Sequence, residues 1–135
     1  MEAFSEYSHA ILSLALWSVI VALLAGASTM GRSAEKRCEC GKPKRDYSDV
    51  VYRRERAFMN AVENSGPFVA ATVAAMLAGA PAFWVNLLAS LFIVARIAMA
   101  IVHIKTENQS LRSTCFAVGW FCMLALAVLA VVAVL

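Results

Sequence analysis

Arg56, Asn60 and Glu63 stand at i, i+4 and i+7 in the stretch RRERAFMNAVENSGPF, residues 53–68. At 100° per residue they fall within about 60° of one another on a helix, and Arg53 lies close to the same stripe. A guanidinium, an amide and a carboxylate in one row support two readings. They can form an ion-pair ridge whose long side chains reach the membrane surface. They can also hold a charged small molecule, because arginine grips carboxylates bidentately and glutamate accepts from an ammonium. Spacing alone leaves both open.

Three further positions carry chemistry. Arg96 lies inside the apolar run IVARIAMAIVH. A lone arginine at the centre of a membrane helix costs roughly 2.5–3.5 kcal/mol on insertion scales, so it should face other helices and be paired. Glu63 is the only acid at a comparable depth, which predicts a buried Glu63–Arg96 pair. His103, seven residues on from Arg96, shares its face and reads either as an interfacial histidine or as part of the same site. Arg112 and Ser113 open the last apolar block, either as an interfacial anchor or as a cation and a hydroxyl aimed at a developing anion. Beside such a cation, a thiol of ordinary pKa about 8.5 shifts towards thiolate. The cysteines point elsewhere. Cys38 and Cys40 are too few for a closed zinc site and have no histidine near them in sequence, so they read as reduced, exposed thiols; Cys115 and Cys122 read as core packing. His9 and His103 fall at opposite ends of the fold and cannot share one haem or metal within a subunit. No metal site is expected.

The elements that must position these residues are membrane helices. The chain has 135 residues, 61% hydrophobic and 16% charged, too apolar for a single soluble domain to bury, so the excess faces lipid. Four apolar blocks, at about 8–30, 50–79, 82–104 and 111–135, each supply the roughly 20 residues a bilayer core requires. Backbone groups in lipid must be satisfied within the segment, so an all-α, four-helix transmembrane bundle in one domain, residues 1–135, is expected. The first block carries Glu2 and Glu6 where a signal peptide would be basic, and reads as a retained helix. The second block would be on the order of 45 Å long at 1.5 Å per residue, so about three turns at its charged end project beyond the membrane into the cytoplasm. Asp46, Ser48 or Asp49 caps it.

Nine of the twelve Lys and Arg residues lie between Arg32 and Arg56. Positive-inside bias then places the 31–49 loop in the cytoplasm and both termini outside. The same bias accounts for the basic loop without nucleic acid. The absence of targeting signals leans towards a bacterial inner membrane.

Taken together, these residues resemble the MAPEG family, the membrane-associated proteins of eicosanoid and glutathione metabolism. The helix 2 signature stands as Arg56-Ala57-Phe58-Met59-Asn60-Ala61-Val62-Glu63 followed by Pro67-Phe68, the third helix carries Arg96 with His103 seven positions on, and RSTCFAVG, residues 112–119, opens the fourth. The resemblance covers essentially the whole chain. It implies a homotrimer with glutathione bound between subunits near the cytoplasmic face. It assigns Arg56, Asn60 and Glu63 to the tripeptide's charged groups, His103 to a position where many members have tyrosine, and Arg32 to a glutathione carboxylate. Arg112 would stabilise the thiolate, with Ser113 as a neighbouring donor. Met59, Met99 and His103 depart from eicosanoid-synthesising members, so the resemblance implies a detoxifying glutathione transferase or peroxidase acting on lipophilic electrophiles or hydroperoxides that arrive through the bilayer.

Two other classes stand beside the enzyme. One is a non-catalytic member that binds glutathione or lipid. The other is a small proton-coupled multidrug exporter, which would rely on an intramembrane acid in the first helix; block one has none within its apolar core.

Overall fold

In the computed structural model, which describes residues 2–135, a short 3-10 segment leads into four long helices. They are α1 (Ser8–Thr29), α2 (Val50–Leu77), α3 (Ala82–Lys105) and α4 (Gln109–Val134). The bounds follow the apolar blocks to within about two residues. No strand forms among the described residues; the 31–49 loop holds a single 3-10 turn, Ala34–Lys36, and an isolated bridge between Arg37 and Pro43.

Caps define the helix ends. Asp49 is the side chain that caps α2, accepting from the Val51 N–H at 2.9 Å. That bond favours the ionised carboxylate and holds Asp49 below its ordinary value of 3.8. Asp46 is also lowered, by the Ser48 hydroxyl and then the Ser48 N–H, and so shapes the turn before the cap. At the far end Gly79 takes φ 69°, a conformation glycine adopts without penalty, and turns the chain from α2 into Pro81 and α3. Asn108 caps α4 through the Leu111 N–H.

The core lies where α1, α2 and α3 cross. Phe68 and Phe92 stack at 3.8 Å, Trp17 packs edge-on against both, and its indole N–H donates to Ser65 Oγ at 3.0 Å. Alanines at 61, 71, 75 and 89 are buried and let the backbones approach. At the N-terminal end the Tyr7 hydroxyl donates to the Ala80 carbonyl at 2.6 Å. Pro67 lies within α2 and has no N–H to give the Glu63 carbonyl, yet the helix runs through it.

Among the described residues three segments are long and apolar enough to cross a membrane: Phe4–Thr29, Ala82–Lys105 and Gln109–Val134. The second block is not one of them: Arg53, Arg54, Glu55 and Arg56 make its start polar, and Asn60, Glu63, Asn64 and Ser65 leave too short an apolar run before Leu77.

Candidate functional site

The loop before α2 is pinned to the end of α3 by one arginine. Arg53, buried on the helical stripe, donates through Nη1 to the carbonyls of Tyr47 (2.8 Å) and Ser48 (2.7 Å) and through Nε to the Ile104 carbonyl (3.3 Å). This places Tyr47 against the first turn of α4. Its hydroxyl oxygen accepts from Arg112 Nη1 at 2.9 Å, and its ring lies nearly parallel to His103, 23° apart in plane at 5.9 Å.

Beside this corner α2, α3 and α4 enclose a cavity of about 200 Å³ lined by Arg56, Asn60, Met99, His103, Arg112, Ser113 and Phe116. An outer cavity of about 450 Å³, lined by Arg45, Tyr47, Tyr52, Arg56, Gln109 and Arg112, shares two arginines with it. No carboxylate lines either among the described residues. Five predicted site residues therefore meet: Arg56, Asn60, His103, Arg112 and Ser113. His103 is only 3% exposed, and both its ring nitrogens lack a hydrogen-bond partner. Ser113 gives its hydroxyl hydrogen to the Gln109 carbonyl at 2.9 Å. Buried donors without partners and guanidiniums without carboxylates suit a small anionic molecule bearing acceptors.

Behind the lining residues Asn60, Met99 and Phe116 lies Arg96. Its Nη2 donates to Asn64 Oδ1 at 2.7 Å and its Nη1 to Asn60 Oδ1 at 3.0 Å; Met99 Sδ is 3.4 Å from Nη1. The guanidinium lies between the rings of Phe92 and Phe116, 5.1 and 5.0 Å from their centroids. The expected Glu63–Arg96 pair is therefore corrected. Arg96 is paired, but with two amides. Glu63 lies about 100° round α2 from Asn64 and is exposed. Neutral amides hold the arginine without burying a second charge.

Two predicted ligands lie outside the cavity. Glu63 is one. Arg32 is the other: it forms an ion pair with the buried Glu55 and donates from Nε to the Ser28 carbonyl at 2.7 Å, tying α1 to α2. The loop thiols also differ from expectation, since Cys38 and Cys40 are joined in a disulfide. Their hairpin, closed by Cys38 N–H donating to the Lys42 carbonyl, brings them together. Cys122 is buried as expected, and Cys115 is half-buried. No cluster of metal-ligating side chains occurs among the described residues. The sequence reading missed Tyr47, Asn64 and the anchoring role of Arg53. Asn64 was within reach of it, being four residues after Asn60 on the same helix.

The MAPEG family model matches residues 7–132, nearly the whole chain. The protein belongs to the MAPEG family. Membership and the three long apolar helices together make it an integral membrane protein. No curated protein and no solved structure matches the chain. In this MAPEG chain the signature stripe of α2 divides by direction. Arg56 and Asn60 turn towards α3 and α4, and Glu63 is exposed.

Proposed function

We propose that this MAPEG protein is a glutathione-dependent transferase or peroxidase acting on lipophilic electrophiles or hydroperoxides. The carrying observation is the cavity that gathers Arg56, Asn60, His103, Arg112 and Ser113 with no carboxylate in its lining. Glutathione brings two carboxylates, an ammonium and a thiol. Arg56 suits a carboxylate, and the unpartnered His103 suits a polar group of the peptide. Arg112, at the first turn of α4, favours the thiolate over the thiol, and Ser113 beside it becomes a neighbouring donor when its hydroxyl turns from the Gln109 carbonyl. The thiolate then attacks a hydrophobic partner arriving from the bilayer.

The same reading makes the protein a homotrimer with four membrane spans, both termini outside and its 31–49 loop in the cytoplasm, a compartment that would keep the Cys38–Cys40 pair reduced. α2 is the fourth span. Val62, Glu63, Val69 and Val73 leave one side of it uncovered. A carboxylate on that side is too costly to leave against lipid, so a neighbouring subunit covers it. Glu63 then serves a glutathione site shared between subunits, where it accepts from the ammonium. Arg32, held by Glu55, is the weaker contributor. A bacterial inner membrane remains the host this reading favours.

The test is turnover. Purified protein should conjugate glutathione to a lipophilic aryl halide or reduce a lipid hydroperoxide. Arg112→Ala should lower kcat/KM by on the order of 100-fold, the usual cost of losing a charge-stabilising donor. Glutathione binding with no turnover on either substrate would make the protein a non-catalytic binder.

A further inference from the structure

The geometry points to the Tyr47 hydroxyl as a second catalytic donor, acting with Arg112 on the glutathione sulfur. This rests on the glutathione reading above. Tyr47 comes from the loop before α2, outside every element that carries the family signature, and three observations set its place. Its oxygen accepts from Arg112 Nη1 at 2.9 Å. Its ring lies along His103, which lines the inner cavity, while Tyr47 itself lines the outer one. Its carbonyl is fixed by the buried Arg53, which also holds Ile104, the residue after His103.

A phenol that accepts from a guanidinium keeps its own O–H hydrogen for another acceptor. Accepting from a cation polarises that O–H and makes it a stronger donor. The hydroxyl touches Arg112, one of the two arginines that line both cavities. An anion drawn to Arg112 therefore meets two donors, a guanidinium N–H and a phenol O–H. The step is an ionisation: the S–H bond of glutathione breaks, its proton passes to bulk water, and the electron pair remains on sulfur. Charged and titratable groups around this point are Arg45 from the loop, Tyr52, Arg53 and Arg56 from α2, His103 from α3, and Arg112 from α4, with Glu107 3.8 Å from Arg53 Nη1. Tyr52 packs edge-on against Tyr47, at 70° and 6.2 Å, and lines the same outer cavity, but Arg112 donates to the Tyr47 hydroxyl and not to that of Tyr52, so Tyr52 serves as the control phenol.

The experiment follows thiolate absorbance of bound glutathione against pH in the intact, detergent-solubilised protein. Affinity for S-methylglutathione, which cannot ionise at sulfur, is measured alongside. Tyr47→Phe keeps the ring on His103 and removes only the hydroxyl. It should raise the pH midpoint of thiolate formation by about one unit, the scale of one hydrogen bond to a charged group, and leave S-methylglutathione affinity unchanged. Tyr52→Phe should leave the midpoint where it is. Tyr47→Ala should both raise the midpoint and weaken S-methylglutathione. A Tyr47→Phe midpoint equal to wild type, or an equal shift in Tyr52→Phe, overturns the role. A wild-type protein that forms no thiolate overturns the glutathione reading itself, and the Tyr47 role with it; the wild-type trace alone separates the two failures.

Discussion

Arg96 and Asn64 meet inside the bundle, where the arginine Nη2–H donates to Asn64 Oδ1 at 2.7 Å. Asn64 in turn donates through Nδ2 to the Asn60 carbonyl at 2.7 Å, so the amide links a buried charge to the wall of the cavity. Truncating it leaves a guanidinium donor buried without a partner. Asn64→Ala should destabilise the protein by about 1–3 kcal/mol, read as a lower unfolding temperature in detergent. It should also weaken glutathione binding, because Arg96 then turns fully onto Asn60 and draws it from the cavity. Unchanged stability would show that water or a neighbouring chain replaces the amide.

Gly119 makes room for the same arginine. A Cβ there would stand 3.0 Å from Arg96 Nε, so the guanidinium must shift by a few tenths of an ångström against its bonds to Asn60 and Asn64. Gly119→Ala should cost roughly 1–3 kcal/mol, as overpacking does. Gly26, in α1, has nothing within 4 Å of the added carbon. Gly26→Ala should be neutral or stabilising by about 0.5–1 kcal/mol, from helix propensity. Thermal unfolding of the two variants side by side checks the contrast.

The Arg32–Glu55 ion pair predicts a structural phenotype for Arg32. Glu55 is buried, so Arg32→Ala strands its carboxylate. Arg32→Ala should lower stability, and Glu55→Gln on the same background should recover much of the loss. A double-mutant cycle should give a coupling of roughly 1–3 kcal/mol. Additive effects, with glutathione affinity falling in Arg32→Ala alone, would return Arg32 to a ligand role.

The α2 cap gives an acid dependence. Asp49 is lowered in the folded protein by the Val51 N–H, so its contribution is complete above the ordinary value of 3.8 and is lost as pH falls through the lower folded value. Asp49→Asn keeps an acceptor and removes the charge. Wild type should exceed it in unfolding temperature at neutral pH, and the gap should close on acidification below about pH 4. A gap independent of pH would assign the cap no ionic part.

The legible part of the molecule was set by periodicity and by charge. Turn and loop signals at 30–49, 78–81 and 106–108 left little choice of helix bounds. The i, i+4 spacing brought Arg56 and Asn60 to one face, and the seven-residue spacing did so for Arg96 and His103. The Arg96 partner was misread because charge was allowed to choose it. Direction decides, and Asn60 and Asn64 face α3 while Glu63 does not. Tyr47 was invisible for another reason. Its place depends on a loop folding back under Arg53, a contact with no periodic signature. The Cys38–Cys40 bond likewise depends on the hairpin that brings the two together.

The most direct test of the central claim is a glutathione titration of the purified, detergent-solubilised protein at neutral pH, followed at the thiolate absorbance band. The account predicts a saturable rise in wild type that is lost in Arg112→Ala while that variant keeps its unfolding temperature. No rise in wild type, together with no thermal stabilisation by glutathione, would contradict it and leave Arg56, Asn60, His103 and Arg112 as a structural cluster in a MAPEG fold.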